Sequence, residues 1–178
     1  MVDASSKFQS SLPISSDYLL KRFRELDIDI EIFEHEAVNT VAESKKIEKL
    51  FLTSTNGGAH IKNLYLRDAK KRNILLVACQ NSNIDLKLIS GLINSKRLSF
   101  GSSDRLFNNL GVRPGAVTPF AMITGVKHSV ELFMQSNLRE SALLYAHPLV
   151  NDRTVSISID NLTRFMNAIG AKINWVDF

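Results

Sequence analysis

Residues 59–67 (AHIKNLYLR) and 73–80 (NILLVACQ) are two strand-like runs joined by the short polar connection Asp68-Ala69-Lys70-Lys71-Arg72. A connection of that length closes an antiparallel hairpin. The second run is apolar almost throughout, as expected of a strand covered on both faces. A chain built around it must supply layers on both sides of a sheet. At 178 residues it can do so within one domain, burying about two thirds of its unfolded surface.

The surrounding pattern fits that frame. Ser15-Ser16-Asp17 caps an amphipathic helix running to about Leu26, after a polar leader over residues 1–15 that is expected to be flexible. Asp27 to Phe33 alternates charged and apolar residues, a half-exposed strand. Thr40 and Glu43 form a capping box for a helix over VAESKKIEKLF. DLKLISGLIN has helical spacing, and Ser102-Ser103-Asp104 caps DRLFNNL, which Gly111 stops. A Pro/Gly-punctuated stretch then leads into AMITG, read as a strand. HSVELFMQ, RTVSISID and AKINWVDF read as further strands. NLTRFMNAI reads as a helix capped by Asp160-Asn161. Strands and helices do not alternate regularly, so the fold expected is α+β, a mixed, largely antiparallel sheet surrounded by helices over residues 16–178.

Composition narrows the function classes. The chain is 44% apolar and 22% charged, with formal charge +4 and pI near 9.3. A nucleic-acid partner is compatible with this, but no dense basic arm is present. The basic residues come in short clusters, among them Lys45-Lys46-Lys49 and Lys70-Lys71-Arg72, and a solvated face is the default reading of each. The single cysteine, Cys79, sits in an apolar run and reads as a buried, inert thiol. No apolar stretch approaches the ~18 residues of a membrane span, and the polar N-terminus lacks the core of a secretory signal. The expected location is the cytoplasm.

Phosphate-loop, dinucleotide and serine-elbow motifs are missing. The four histidines (His35, His60, His128, His147) lack metal-ligand spacing. Three segments could carry chemistry. Lys62 lies on a strand, either as an edge lysine snorkelling to water or as a cation over a pocket. Gly111 to Pro119 (GVRPGAVTP) combines two glycines with two prolines, forming either a structural turn or a rigid backbone cradle. His147 precedes Pro148 and is therefore extended. It is either structural or a general base.

Together these segments resemble the YbaK/ProX family of aminoacyl-tRNA deacylases, the prolyl-tRNA synthetase associated domain. The resemblance rests on HEAVNTVAE (35–43), KNLYL (62–66), RLSFGS (97–102), LGVRPGAVTPF (110–120) and HPLVNDRTVSI (147–157). It implies a barrel-like mixed fold with a small pocket for the aminoacyl end of tRNA, and neither a metal, a cofactor nor a covalent nucleophile. The family's lysine falls on Lys62 and its G-x-x-x-P loop on Gly115, Ala116, Val117, Thr118 and Pro119. Asn63 and His147 fall on pocket positions. The branch resembled most clears alanine from proline tRNA. That implies mischarged tRNA as partner, with prolyl-tRNA synthetase a second candidate and no membrane. In this reading Lys62, Gly115 and His147 are catalytic, and Asn63 with residues 116–119 binds substrate. Deacylation of Cys- or Ser-tRNA, or a non-catalytic module that binds tRNA or a synthetase, are the alternatives.

Overall fold

The computed structural model describes residues 3–38, 43, 46, 51 and 56–178. Of the helix expected from Thr40, Glu43 and Lys46 are described and both are helical, whereas Thr40, Lys45 and Lys49 lie outside the described residues. Eight strands are described: β1 (Glu31–Glu34), β2 (Gly58–Arg67), β3 (Asn73–Cys79), β4 (Ser99–Phe100), β5 (Glu131–Gln135), β6 (Leu143–Ala146), β7 (Arg153–Ile157) and β8 (Ile173–Val176). They form one mixed sheet in the order β1-β7-β6-β2-β3-β5-β8, with β4 added to β2. The β1–β7, β6–β7, β2–β3 and β2–β4 pairs are antiparallel. The β2–β6, β3–β5 and β5–β8 pairs are parallel. The fold is thus α+β with a mixed sheet, and the hairpin around Asp68–Arg72 is its centre.

The apolar run of β3 is covered on both faces. Leu75 and Val77 join the main core, whereas Ile74 and Leu76 join a second cluster with Leu66, Ile89, Ile93 and Phe133. The alternation of a strand divides its side chains in this way. The second cluster is roofed by α2 (Leu86–Leu92), whose N-cap carboxylate, Asp85, accepts from the N–H groups of Lys87 and Leu88. On the main side lie α1 (Ser16–Glu25, capped by Ser15), α3 (Ser103–Leu110, capped by Ser102) and α5 (Ile159–Ala168). Gly111 ends α3 at φ 69, a left-handed conformation that glycine adopts without strain.

Three phenylalanines bind these layers. Phe23 of α1 meets Phe120 and Phe165 edge-on with ring centroids 5.1 Å apart, and Phe120 meets Phe165 at 5.9 Å. All three are fully buried, each contributing roughly 1.5–3 kcal/mol from apolar burial.

Three expectations require correction. AMITG is helical rather than a strand: residues 119–121 make a 3-10 turn that runs into α4 (Met122–Gly125). The physical signal is Thr118 with Pro119, an N-cap followed by proline in the first helical turn. The helix α5 is capped by the Ser158 hydroxyl and not by Asp160-Asn161. The strand expected from Asp27 starts only at Glu31, because Asp27 takes φ 52 just beyond the end of α1.

Residues 3–15 contain a 3-10 helix, Ser6–Ser11. The Asp152 carboxylate accepts from the N–H and hydroxyl of Ser6 at 2.9 and 2.7 Å. Asn151 donates its N–H to the carbonyl of Ala4. Among the described residues no helix is long and apolar enough to cross a membrane.

Candidate active site

Parallel pairing of β2 with β6 puts His60 in register with Tyr145. Their rings stack at 5.1 Å and 19°, and Phe51 packs against both. This aromatic wall closes one side of a cavity of about 40 Å³, lined by Phe51, His60, Ile61, Asn63, Gln80, Tyr145, Ala146, His147 and Thr154. Strands that are distant in sequence meet there, and two residues expected from the sequence, Asn63 and His147, share its lining.

His147 follows the last residue of β6 and is half-buried. Its Nδ1 lies 2.7 Å from the carbonyl oxygen of Arg153. A carbonyl only accepts, so Nδ1 carries the proton and Nε2 presents its lone pair. Burial lowers the imidazole pKa to about 4. The Arg153 carbonyl and Asp152 oppose that shift, and neighbouring His35 adds to it. The ring is therefore neutral at physiological pH. His35 stands 5.9 Å away, centroid to centroid, and its Nε2 lies 2.9 Å from the Thr154 hydroxyl.

Asn63 adds a second acceptor. Its carboxamide oxygen Oδ1 is buried and has no hydrogen-bond partner among the described residues. A buried acceptor without a partner costs about 1–3 kcal/mol, so its retention at a cavity wall points to a ligand or water that donates to it.

Lys62 lies elsewhere. Strand alternation turns it to the opposite face from Asn63, and its ammonium donates to the carbonyl oxygen of Ser82. It is not in the lining of the small cavity. It stands at the turn after β3, beside a second and larger cleft of about 600 Å³. That cleft is lined by Gly57, Gly58, Ala59, His60, Cys79, Gln80, Asn81, Asn137, Glu140 and Ser141. The two hollows share His60 and Gln80. Cys79 is half-exposed on this cleft instead of buried, because β3 ends there. Burial still raises its thiol pKa, partly offset by Asn137 and Lys62.

The Gly115–Pro119 run is in neither described lining. Gly115 takes φ 93, a left-handed conformation. The Ala116 N–H donates to the Arg113 carbonyl, closing a turn. Ala116 and Thr118 are fully buried, Pro119 is buried, and Val117 packs against the main core. Thr118 caps the following 3-10 turn. The groups this run can offer a ligand are therefore main-chain ones. Sequence reasoning missed Phe51, His60, Gln80, Tyr145 and Thr154. Only His60, as a titratable residue on a strand, gave any local signal.

The sequence profile of the aminoacyl-tRNA editing domain matches residues 35–165. Over 153 residues, 85% of this chain and 90% of the relative, the chain is 36% identical to the prolyl-tRNA editing protein ProX of Acetoanaerobium sticklandii. It is 30% identical over 158 residues to the prolyl-tRNA synthetase associated domain-containing protein 1 of Mus musculus, covering 85% of this chain and 89% of that one. The crystal structure of a proposed trans-editing enzyme for prolyl tRNA synthetase superposes with a TM-score of 0.67 at 14% identity. It covers 92% of this chain and 97% of that one, and it shows the shared fold. By its sequence match, this chain belongs to the aminoacyl-tRNA editing domain family.

Proposed function

We propose that the chain is a trans-editing aminoacyl-tRNA deacylase that hydrolyses the ester of mischarged tRNA, with alanine on proline tRNA as its substrate. The observation that carries this reading is the cavity of about 40 Å³ lined by Asn63 and by His147, whose imidazole is neutral. The hollow is far smaller than the cleft beside it, about 40 against 600 Å³, and in this reading it admits a small aminoacyl side chain and turns away a larger one.

Water is the nucleophile in this reading. His147 and Asn63 both line the hollow, and in this reading their acceptor atoms, Nε2 and Oδ1, orient a water or hold the substrate's α-amine. Burial keeps the imidazole unprotonated at neutral pH, but a pKa near 4 makes it a weak base, so its part in this reading is to accept a hydrogen bond from the water and orient it. The substrate's own ribose hydroxyl is a second candidate for activating the water. Lys62 holds a phosphate of the tRNA terminus, and main-chain groups at Gly115 stabilise the developing oxyanion. The exposed cations Lys70 and Lys71 meet acceptor-stem phosphates.

The biological need follows from size. A synthetase pocket built for proline cannot exclude the smaller alanine, since each missing methylene is worth only about 1–3 kcal/mol. A second site that admits alanine and rejects proline completes the discrimination. Side-by-side deacylation of Ala-, Cys- and Ser-tRNA, with Pro-tRNA as control, tests the reading. Turnover of none of them would sink it, and preference for Cys- or Ser-tRNA would move the substrate assignment.

A further inference from the structure

Residues 3–11 precede the matched residues 35–165 and have no role in the chemistry above, yet they are bonded to both loops that do. On one side, the Asp152 carboxylate accepts from the N–H and hydroxyl of Ser6 at 2.9 and 2.7 Å, and Asn151 donates its N–H to the Ala4 carbonyl at 3.1 Å. Gln9 donates to the Asp17 carboxylate at 3.0 Å, and Arg153 donates to the same carboxylate at 2.6 Å. On the other side, the Arg113 guanidinium donates to the Asp3 carbonyl at 3.1 Å and to the Ser11 hydroxyl at 2.7 Å. Its donors form a fixed fork, so one side chain grips the segment at both ends. Each anchor also reaches the site through main chain. Asp152 immediately precedes Arg153, whose carbonyl receives the Nδ1–H of His147. The Arg113 carbonyl accepts from the Ala116 N–H and closes the turn that holds Gly115. The His147 loop needs outside support, since Leu149 takes φ 69 within it, a left-handed conformation that a leucine keeps only under constraint.

We propose that residues 3–11 are a strap that sets the placement of the His147 loop relative to the Gly115 loop, with Ser6, Asp152 and Arg113 as positioning residues for ester hydrolysis. This rests on the deacylase reading. A group that orients the water and a main-chain group that meets the developing oxyanion must approach one ester from fixed places. A misplacement of about 1 Å between such groups costs about 10²-fold in rate. The side chains of Ser6, Asp152 and Arg113 touch no substrate. They act through the Asp152–Arg153 step on one side and through the turn at Gly115 on the other. Two anchors of one strap work in series. Releasing either frees the loops from each other, so releasing the second adds nothing, whereas independent bonds at distant sites contribute additively.

The experiment measures kcat and KM for Ala-tRNA in the full chain, well below the thermal midpoints, for wild type, Asp152→Ala, Arg113→Ala and the double variant. Each single change is expected to lower kcat about tenfold and to leave KM within about twofold. The double variant is expected to show the same loss of about tenfold, where independent bonds would give about a hundredfold. Asp152→Asn keeps both bonds to Ser6, its amide oxygen accepting from the N–H and its amide nitrogen donating to the hydroxyl, and is expected to restore most of the kcat lost in Asp152→Ala. Ser6→Ala weakens the same anchor from outside the loop and is expected to act in the same direction, which keeps the test open if Asp152→Ala does not fold. Nitrogen NMR of His147 reads the strap without substrate. In Ser6→Ala and Arg113→Ala the ring signals are expected to move toward the average of the two tautomers as the Arg153 carbonyl loses its hold on Nδ1–H. Wild-type kcat in every variant, multiplying losses in the double variant, or unchanged His147 signals would overturn the strap. A wild-type chain that hydrolyses no aminoacyl-tRNA, with the His147 signals moving as expected, would leave the strap standing and remove the deacylase reading.

Discussion

His147 donates its Nδ1–H to the carbonyl of Arg153 at 2.7 Å, and this bond leaves Nε2 as the ring's acceptor. Because burial holds the imidazole near pKa 4, well below the ordinary value of 6.5, pH becomes a direct probe of the site.

The unfolded chain takes up a proton on this histidine at a higher pH than the folded one does. Stability from the buried neutral ring is thus fully present above about pH 6.5 and is lost as pH falls toward 4. The loss is at most about 3 kcal/mol over that window. Denaturant midpoints measured from pH 7 to pH 4 should fall, and the fall should shrink in His147→Phe. If the same ring is the base, kcat/KM of the folded enzyme stays flat down to about pH 5 and drops near 4.

Asn63→Leu separates stability from activity. Replacing the orphaned oxygen with an apolar group removes an unsatisfied acceptor. The thermal midpoint should stay the same or rise, while deacylation falls by about 10² or more. A variant that loses stability and keeps its rate would show that the oxygen serves the fold and not the substrate.

Lys62→Ala tests the cation at the cleft mouth. The ammonium's bond to the Ser82 carbonyl contributes about 1.5–3 kcal/mol, so folding should survive. The expected result is a rise in KM for aminoacyl-tRNA that wild-type protein can mimic only at raised salt. A near wild-type rate would remove Lys62 from the site.

Gly115→Ala tests the loop. At φ 93 an added Cβ costs about 1–2 kcal/mol of backbone strain. If main chain at Gly115 holds the oxyanion, kcat should fall about 10²–10³, more than that strain explains. A loss confined to stability would reduce the loop to a turn.

Much of the fold was legible because its signals are local. Ser15, Ser102 and Gly111 mark helix ends within a few residues, and the β2–β3 hairpin is written in one continuous stretch. AMITG contains β-branched Ile123 and Thr124, which favour a strand, but the capping chemistry of Thr118-Pro119 just before it decides for a helical turn. The site was less legible for a physical reason. His60 and Tyr145 touch only because β2 and β6 pair in parallel across 85 positions of chain, and no periodicity reports such a pairing. Asn63 and His147 were reached through the family resemblance, since their own neighbours read equally well as structural. The exposure of Cys79 was not legible because an apolar run does not reveal where its strand stops.

The account stands on a hollow small enough to refuse proline. The direct measurement is kcat/KM for Ala-tRNA against Pro-tRNA, both on proline tRNA, in the wild-type chain and in Ile61→Ala, which widens the cavity wall. A wild-type preference for the alanyl ester of about 10² or more is expected, with the ratio falling about tenfold or more in the variant as Pro-tRNA begins to turn over. Comparable hydrolysis of both esters by the wild-type chain would contradict it.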